Sequence, residues 1–173
     1  SHNIKILVDF VANHIHDSHR IFKKHPEYFG TLELPDGSKN IRLYDEYPLT
    51  TWFDEFLPAF DYNNPNAVEY IVNSAIWLIK KTGIDGFRLD AVKHIEHKFW
   101  LRLRERIRYE IEIPENRVFY MIGESIADRN IIMDYIHPGE INGQFDFPMY
   151  WDIINVFARE NSGFDLLNAV VIK

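Results

Sequence analysis

Residues Gly83 to His94 read Gly-Ile-Asp-Gly-Phe-Arg-Leu-Asp-Ala-Val-Lys-His, and this run constrains the fold more than any other part of the chain. It follows Lys80-Lys81-Thr82, a helix C-terminus in composition, with basic residues in the last turn and Gly83 free to take the left-handed cap. A strand therefore begins near Ile84. Side chains alternate along a strand, so Phe87 and Leu89 point one way while Arg88 and Asp90 point the other. A guanidinium and a carboxylate then share one face at the strand's end. The nearby cation favours the charged form of Asp90, which suits a nucleophile.

Other apolar runs place this strand in a series. Ile4 to Phe10 is nearly continuous in aliphatic residues, as in a parallel strand covered on both faces, and it ends at Asp9, Asn13 and His14. Residues 15 to 62 carry no long periodic pattern but hold turn signals at Pro35-Asp36-Gly37 and Tyr47-Pro48; they are expected to form an inserted loop subdomain with a minor hairpin near Asp36. Asn64 and Pro65 open a helix whose apolar stripe is Val68, Ile71, Val72, Ala75, Leu78 and Ile79. A second amphipathic helix carries Phe99, Leu103, Ile107 and Ile111 and should stop before Pro114. A strand at Val118 to Ile122 leads to Gly123 and Glu124, a short helix spans Asp128 to Ile136, and a strand covers Gln144 to Phe147. A helical segment then reaches Arg159, and Asp165 caps one more helix.

Strands alternating with helices imply a parallel α/β fold, either a doubly wound sheet or a barrel. Asp9, Asn13 and His14, then Asp90, then Glu124 all fall at or just past the C-terminal ends of successive strands, where a TIM barrel builds its active site. No glycine-rich phosphate loop follows any strand, which argues against a nucleotide-binding fold and against an organic cofactor of that kind. The expected architecture is part of a TIM (β/α)8 barrel, residues 1–173 belonging to one domain with 15–62 inserted after its first strand.

Composition narrows the partners. The chain has 173 residues, 46% hydrophobic and 15% aromatic, enough for a packed core. A formal net charge of -7 argues against nucleic acid or an anionic membrane as the main partner. Without cysteine there is neither a disulfide nor a thiolate metal site, and the compartment stays open. No segment is long and apolar enough to span a bilayer. Ser1-His2-Asn3 runs straight into an apolar strand without the regions of a secretory signal, so either no signal is present or the sequence is an internal excerpt.

Asp90 and Glu124 on neighbouring strand ends form the pair that glycoside hydrolysis needs, one carboxylate to meet the cationic sugar centre and one acid to protonate the leaving oxygen. Arg88 should hold Asp90 charged, while burial and crowding should favour the protonated form of Glu124. Tyr28, Phe29, Tyr44, Trp52 and Phe53 are aromatics that either stack on sugar rings or fill a local core. Bland alternatives exist for each residue. Arg88 and Asp90 alone could be a structural ion pair, Asp9 reads as a polar anchor, and Asn13 could satisfy a buried backbone group. His14, His16 and His19 could ligate zinc, although their spacing is irregular.

Together these residues resemble the signatures of the α-amylase family of glycoside hydrolases and glucanotransferases. Asp9 to His14 looks like the first signature, Gly86 to His94 like the second, and Gly123-Glu124 like the third. The resemblance implies that Asp90 is the nucleophile, Glu124 the general acid/base and Arg88 the partner of Asp90. It implies that His14 contacts the sugar at the cleavage site and that Lys93 and His94 line the leaving-group side. The substrate would be an α-1,4-linked glucan or maltooligosaccharide, with transglycosylation, α-1,6 cleavage or a non-catalytic amylase-like interaction domain as alternatives.

Two departures accompany the resemblance. The family's third carboxylate lies in a fourth signature, and none follows Glu124 here; roughly 250 residues make a complete barrel, so the chain reads as an excerpt from about the third to the sixth strand, inactive alone. Many members also bind structural Ca²⁺ through residues matching Asn13, the carbonyl of His94, and an aspartate in a Leu-Pro-Asp motif. Here the motif is Leu57-Pro58-Ala59, and Ala59 weakens any such site because a hard cation seeks six to eight oxygens.

Overall fold

The structure is a computed structural model that describes residues 4–159 and 161–171. The sequence before Ile4 lies outside the described residues. Four parallel strands form one sheet in the order β1-β2-β3-β4: Leu7–Phe10, Gly86–Leu89, Tyr120–Gly123 and Gly143–Gln144. The spatial order repeats the chain order, with no reversal. A doubly wound sheet has a switch point where the order turns back, whereas a barrel adds each strand beside the last.

The helices explain how the crossovers return. α1 (Arg20–Lys24) lies in the inserted segment, and α2 (Pro65–Thr82) forms the first long crossover. Asn64 caps α2 by accepting from the Asn66 N–H, Pro65 occupies its first turn, and Gly83 at φ 68° closes it in the left-handed conformation. The buried stripe includes Val68, Ile71, Val72, Ala75 and Ile79, with Leu78 only partly buried. α3 (His97–Ile107) runs into a π-helical turn at Arg108–Glu112 and then α4 (Ile113–Glu115). The expected stop before Pro114 is therefore corrected. Pro114 lies just past the π-helical turn at Arg108–Glu112, inside one continuous helical run that ends at Glu115.

Three further helices follow, α5 (Arg129–Asp134), α6 (Phe147–Ile153) and α7 (Asp165–Val171), with a π-helical turn at Ile154–Ala158 extending α6. The strand expected over Gln144 to Phe147 ends at Gln144. Asp146 accepts from the Met149 N–H, so Phe147 begins a helix instead. β1 is likewise shorter than the apolar run that predicts it, although the Ile6 N–H donates to the Asp85 carboxylate and the Asp85 N–H to the Ile6 carbonyl, which continue the pairing.

Strand alternation separates two faces. Phe87, Leu89 and Met121 are fully buried against the helices, with Phe10 stacked on Phe87 at 4.7 Å and Phe119 edge-on to Phe87 at 5.0 Å. On the opposite face, Leu7, Gly86 and Tyr120 are in register, as are Asp9, Arg88 and Ile122. A Cβ on Gly86 would fall 2.3 Å from the Tyr120 carbonyl oxygen, so only glycine permits that approach. Leu7 and Tyr120 remain 42% and 43% exposed, so the reading of β1 as covered on both faces holds for its helix side alone among the described residues.

The inserted segment 15–62 has little regular structure but packs into the same core, through Ile21, Phe29, Phe60 and Tyr62. Its hairpin is small: Glu33 bridges Lys39, and Gly37 turns at φ 84°. Buried Arg104 ties α3 to the sheet, donating to the carbonyls of Phe119 and Glu140 and to Asn142 Oδ1.

Candidate active site

Asp90 leaves the end of β2 and Glu124 the end of β3, and backbone bonds lock the two exits together. The Glu124 N–H donates to the Leu89 carbonyl at 2.8 Å, and the Val92 N–H donates to the Glu124 carbonyl at 3.0 Å. Between them Ala91 adopts φ 52°, a left-handed conformation that costs a non-glycine residue energy. That turn sends the chain into the short helical turn Val92–His94 and brings Lys93 and His94 to the rim.

One guanidinium organises the acids. Arg88 Nη1 lies 2.9 Å from both Asp9 Oδ1 and Asp90 Oδ1, and Nη2 lies 2.5 Å from Glu124 Oε2. From the sequence, Arg88 is expected to serve Asp90 alone, with burial and crowding by another carboxylate acting on Glu124. Instead, Glu124 is paired with the same cation, and its side chain is 26% exposed. The register Asp9–Arg88–Ile122 makes this possible, since it sets Asp9 beside Arg88 on the inner face. Asp9 is thus an anchor for the arginine, and its side chain is largely exposed.

A cleft of about 310 Å³ opens over these groups, lined by Tyr44, Phe53, Asp90, Lys93, His94 and Glu124, together with Ala91, Ser125 and Ile126. His14 joins it through the inserted segment, stacking on Phe53 at 4.6 Å; Phe53 in turn meets His94 edge-on at 5.3 Å. Burial lowers the pKa of His14, with the Asp90 charge opposing. Burial also lowers the pKa of His94, against the opposing hydrogen bond to Pro48. His94 Nδ1 lies 2.8 Å from the Pro48 carbonyl, which can only accept, so that nitrogen carries the proton and Nε2 keeps a lone pair.

The aromatics divide by role. Tyr44 and Phe53 face the cleft, whereas Phe29 and Trp52 are buried, Trp52 donating to the Gly30 carbonyl, and Tyr28 stacks on His25. Lys93 donates to the Ile126 carbonyl at 2.8 Å, joining the loops after β2 and β3. Asn13 is buried behind His14, its Nδ2 3.4 Å from His14 Nδ1. Among the described residues His16 and His19 belong to no metal-binding group: His16 contacts Ser18, and His19 caps α1. Ser125 and Ile126 were not singled out by sequence reasoning. Their only signal is position, one and two residues past a strand-end acid.

An α/β sheet that adds parallel strands in chain order, with paired acids at the strand ends, defines the class: a barrel-type catalytic domain. A family-wide sequence profile described as the alpha amylase catalytic domain matches residues 1–173, and the chain belongs to that family. Relatives agree. A cyclomaltodextrinase of a Bacillus species is 26% identical over 170 residues, covering 91% of this chain and 28% of that protein. Alpha-amylase 3 of Dictyoglomus thermophilum is 30% identical over 176 residues, covering 91% and 33%. The crystal structure of an alpha-amylase from Geobacillus thermoleovorans, complexed with acarbose, superposes with a TM-score of 0.71 at 28% identity, covering 87% of this chain and 32% of that one. The chain therefore spans about a third of the length of these relatives.

Proposed function

We propose that this chain supplies the nucleophile and the general acid/base of a retaining glycoside hydrolase acting on α-1,4-linked glucans. The observation that carries the reading is the sharing of Arg88: Asp90 and Glu124 lie within the span of a single guanidinium. One guanidinium brings both carboxylates to the same cleft, as two acids acting on one glycosidic bond must be, and the retaining assignment rests on the resemblance of Gly86–His94 and Gly123-Glu124 to the family's signatures.

In the first step an Asp90 carboxylate oxygen bonds the anomeric carbon as the glycosidic C–O bond breaks, and Glu124 gives its proton to the departing oxygen. In the second, Glu124 takes a proton from water as the water oxygen attacks the same carbon, and the Asp90–sugar bond breaks. Arg88 orients both acids from beneath, with Asp9 fixing it from the other side. Its charge lies 2.9 Å from Asp90 and 2.5 Å from Glu124 and so serves both; the division of roles between them follows the family signatures that the two residues match. His14 meets the sugar at the cleavage site. Lys93 and His94, with Tyr44 and Phe53, wall the leaving-group side.

Residues 1–173 alone are expected to be inactive, since the inner sheet face of Leu7 and Tyr120 stands open and the family's third acid is not among these residues. Substantial starch hydrolysis by the purified 173 residues would overturn that. For the full-length protein, NMR of the first product released from a maltooligosaccharide should show the α-anomer. Initial release of the β-anomer would remove the retaining assignment.

A further inference from the structure

The seam between the inserted segment and the sheet is closed by the protein's own donors. The Phe60 N–H donates to the Asn13 carbonyl at 2.9 Å, the Ile15 N–H to the Pro58 carbonyl at 3.2 Å, and the Asp17 N–H to the Phe56 carbonyl at 2.9 Å. The Tyr62 hydroxyl donates to the Ala12 carbonyl, and His94 Nδ1 to the Pro48 carbonyl. His14 and Ala59 form an antiparallel bridge. Aromatic contacts thicken the joint, with Phe60 on Phe29 at 4.4 Å and Tyr62 on Phe99 at 4.4 Å.

This is where the family resemblance places a calcium ion, and the residues do not fit one. A hard dication takes six to eight oxygens, carboxylates prominent among them. The position that would provide the carboxylate is Ala59, buried, with its carbonyl already accepting from the Gly30 N–H at 2.9 Å. Asp61, two residues on, points its Oδ1 at the Asn63 N–H. Asp90, whose charge acts on both His14 and His94, is held by Arg88. What remains is the Asn13 amide oxygen, the His94 carbonyl and carbonyls already engaged by N–H or O–H groups, with no free carboxylate among them. No group of three or more His, Cys, Asp or Glu side chains gathers as metal ligands among the described residues.

We infer that in this protein hydrogen bonds and aromatic packing replace calcium as the fastening between the inserted segment and the barrel. The cleft wall formed by Tyr44 and Phe53 is then held in place without a metal. This inference is independent of the catalytic reading, because it concerns the seam and not the acids.

The test is hydrogen exchange with mass-spectrometric localisation on the full-length protein, after dialysis against a chelator and again with millimolar Ca²⁺. Exchange in the peptides covering 12–62 should be the same in both. A chelator-induced rise there, reversed by Ca²⁺, would overturn the inference, and because the readout is local, a calcium site elsewhere in the protein does not affect it. Tyr62→Phe supplies the second arm. Losing one buried hydrogen bond should raise exchange across 12–62 about fivefold, for a bond worth ~1 kcal/mol, with no rescue by Ca²⁺. Unchanged exchange in Tyr62→Phe, or rescue by Ca²⁺, would contradict the proposed fastening.

Discussion

Arg88 Nη2 and Glu124 Oε2 stand 2.5 Å apart across the boundary between β2 and β3. The same guanidinium reaches Asp90 along its own strand and Asp9 on the strand before. A planar fork with several donors can bind three acids in fixed directions, and a lysine cannot. Arg88→Lys in the full-length protein is therefore expected to lower kcat/KM by about a hundredfold, the scale of misplacing a reacting group by an ångström, while the far-UV circular dichroism is unchanged. Steady-state kinetics decide it, and a loss under about fivefold would show the bridging to be dispensable.

His14 gives a pH prediction whose sign follows from its surroundings. Burial holds its pKa below the ordinary 6.5, and the Asp90 charge pulls it back part of the way. A group whose folded pKa is depressed in this sense is buried neutral, so its contribution to stability is whole above pH 6.5 and is lost as the pH falls through the folded value. Proton-detected titration of the His14 ring should give a midpoint below 6.5, and Asp90→Asn should move it lower still. A midpoint that rises in Asp90→Asn would mean that the Asp90 charge does not act on His14 as described.

Arg104 tests the scaffold beneath the site. It is 6% exposed and satisfies two carbonyls and the Asn142 side chain, and it pairs with Glu112. Removing it leaves the buried Phe119 and Glu140 carbonyls without that donor, while Asn142 and Glu112 keep the N–H groups of Met121 and Phe119. Arg104→Ala should destabilise the full-length protein by ~2–4 kcal/mol, the scale of two buried carbonyls losing a charged donor. Chemical denaturation reads this directly; a cost under about 1 kcal/mol would mean water replaces the guanidinium without penalty.

Ala91 holds a left-handed turn between the nucleophile candidate and the rim. A β-branched side chain is far less tolerant of that conformation than alanine. Ala91→Val is expected to cost ~2 kcal/mol, whereas Ala91→Gly should stay within ~1 kcal/mol of the parent because relieved strain offsets added chain entropy. Thermal unfolding of the two variants supplies the comparison, and equal effects would argue against strain at this position.

The strand-end positions of Asp90 and Glu124, the α2 caps and the apolar stripe were all legible because each rests on local spacing. Local patterns repeat at fixed periods, and the fold keeps them. Phe147 reads as strand because Gln144 to Phe147 alternates polar and apolar residues; Asp146 instead accepts from the Met149 N–H and turns the chain into a helix. Pro114 looked like a stop because the π-helical turn before it has no sequence signature. The sharing of Arg88 by three acids was invisible for a different reason. It depends on the register between β1, β2 and β3, which no single segment encodes. The cleft's Ser125 and Ile126, and the contact of Lys93 with Ile126, depend likewise on how two loops meet.

The central claim is that Asp90 bonds the sugar. A mechanism-based glycosyl fluoride, in which the intermediate accumulates, should label the full-length protein with one sugar, and peptide mapping should place it on Asp90. Glu124→Gln should slow labelling by activated fluorides far less than it slows cleavage of maltooligosaccharides, since fluoride leaves with little help from an acid. Label found on any residue other than Asp90, or undiminished labelling of Asp90→Asn, would contradict the account.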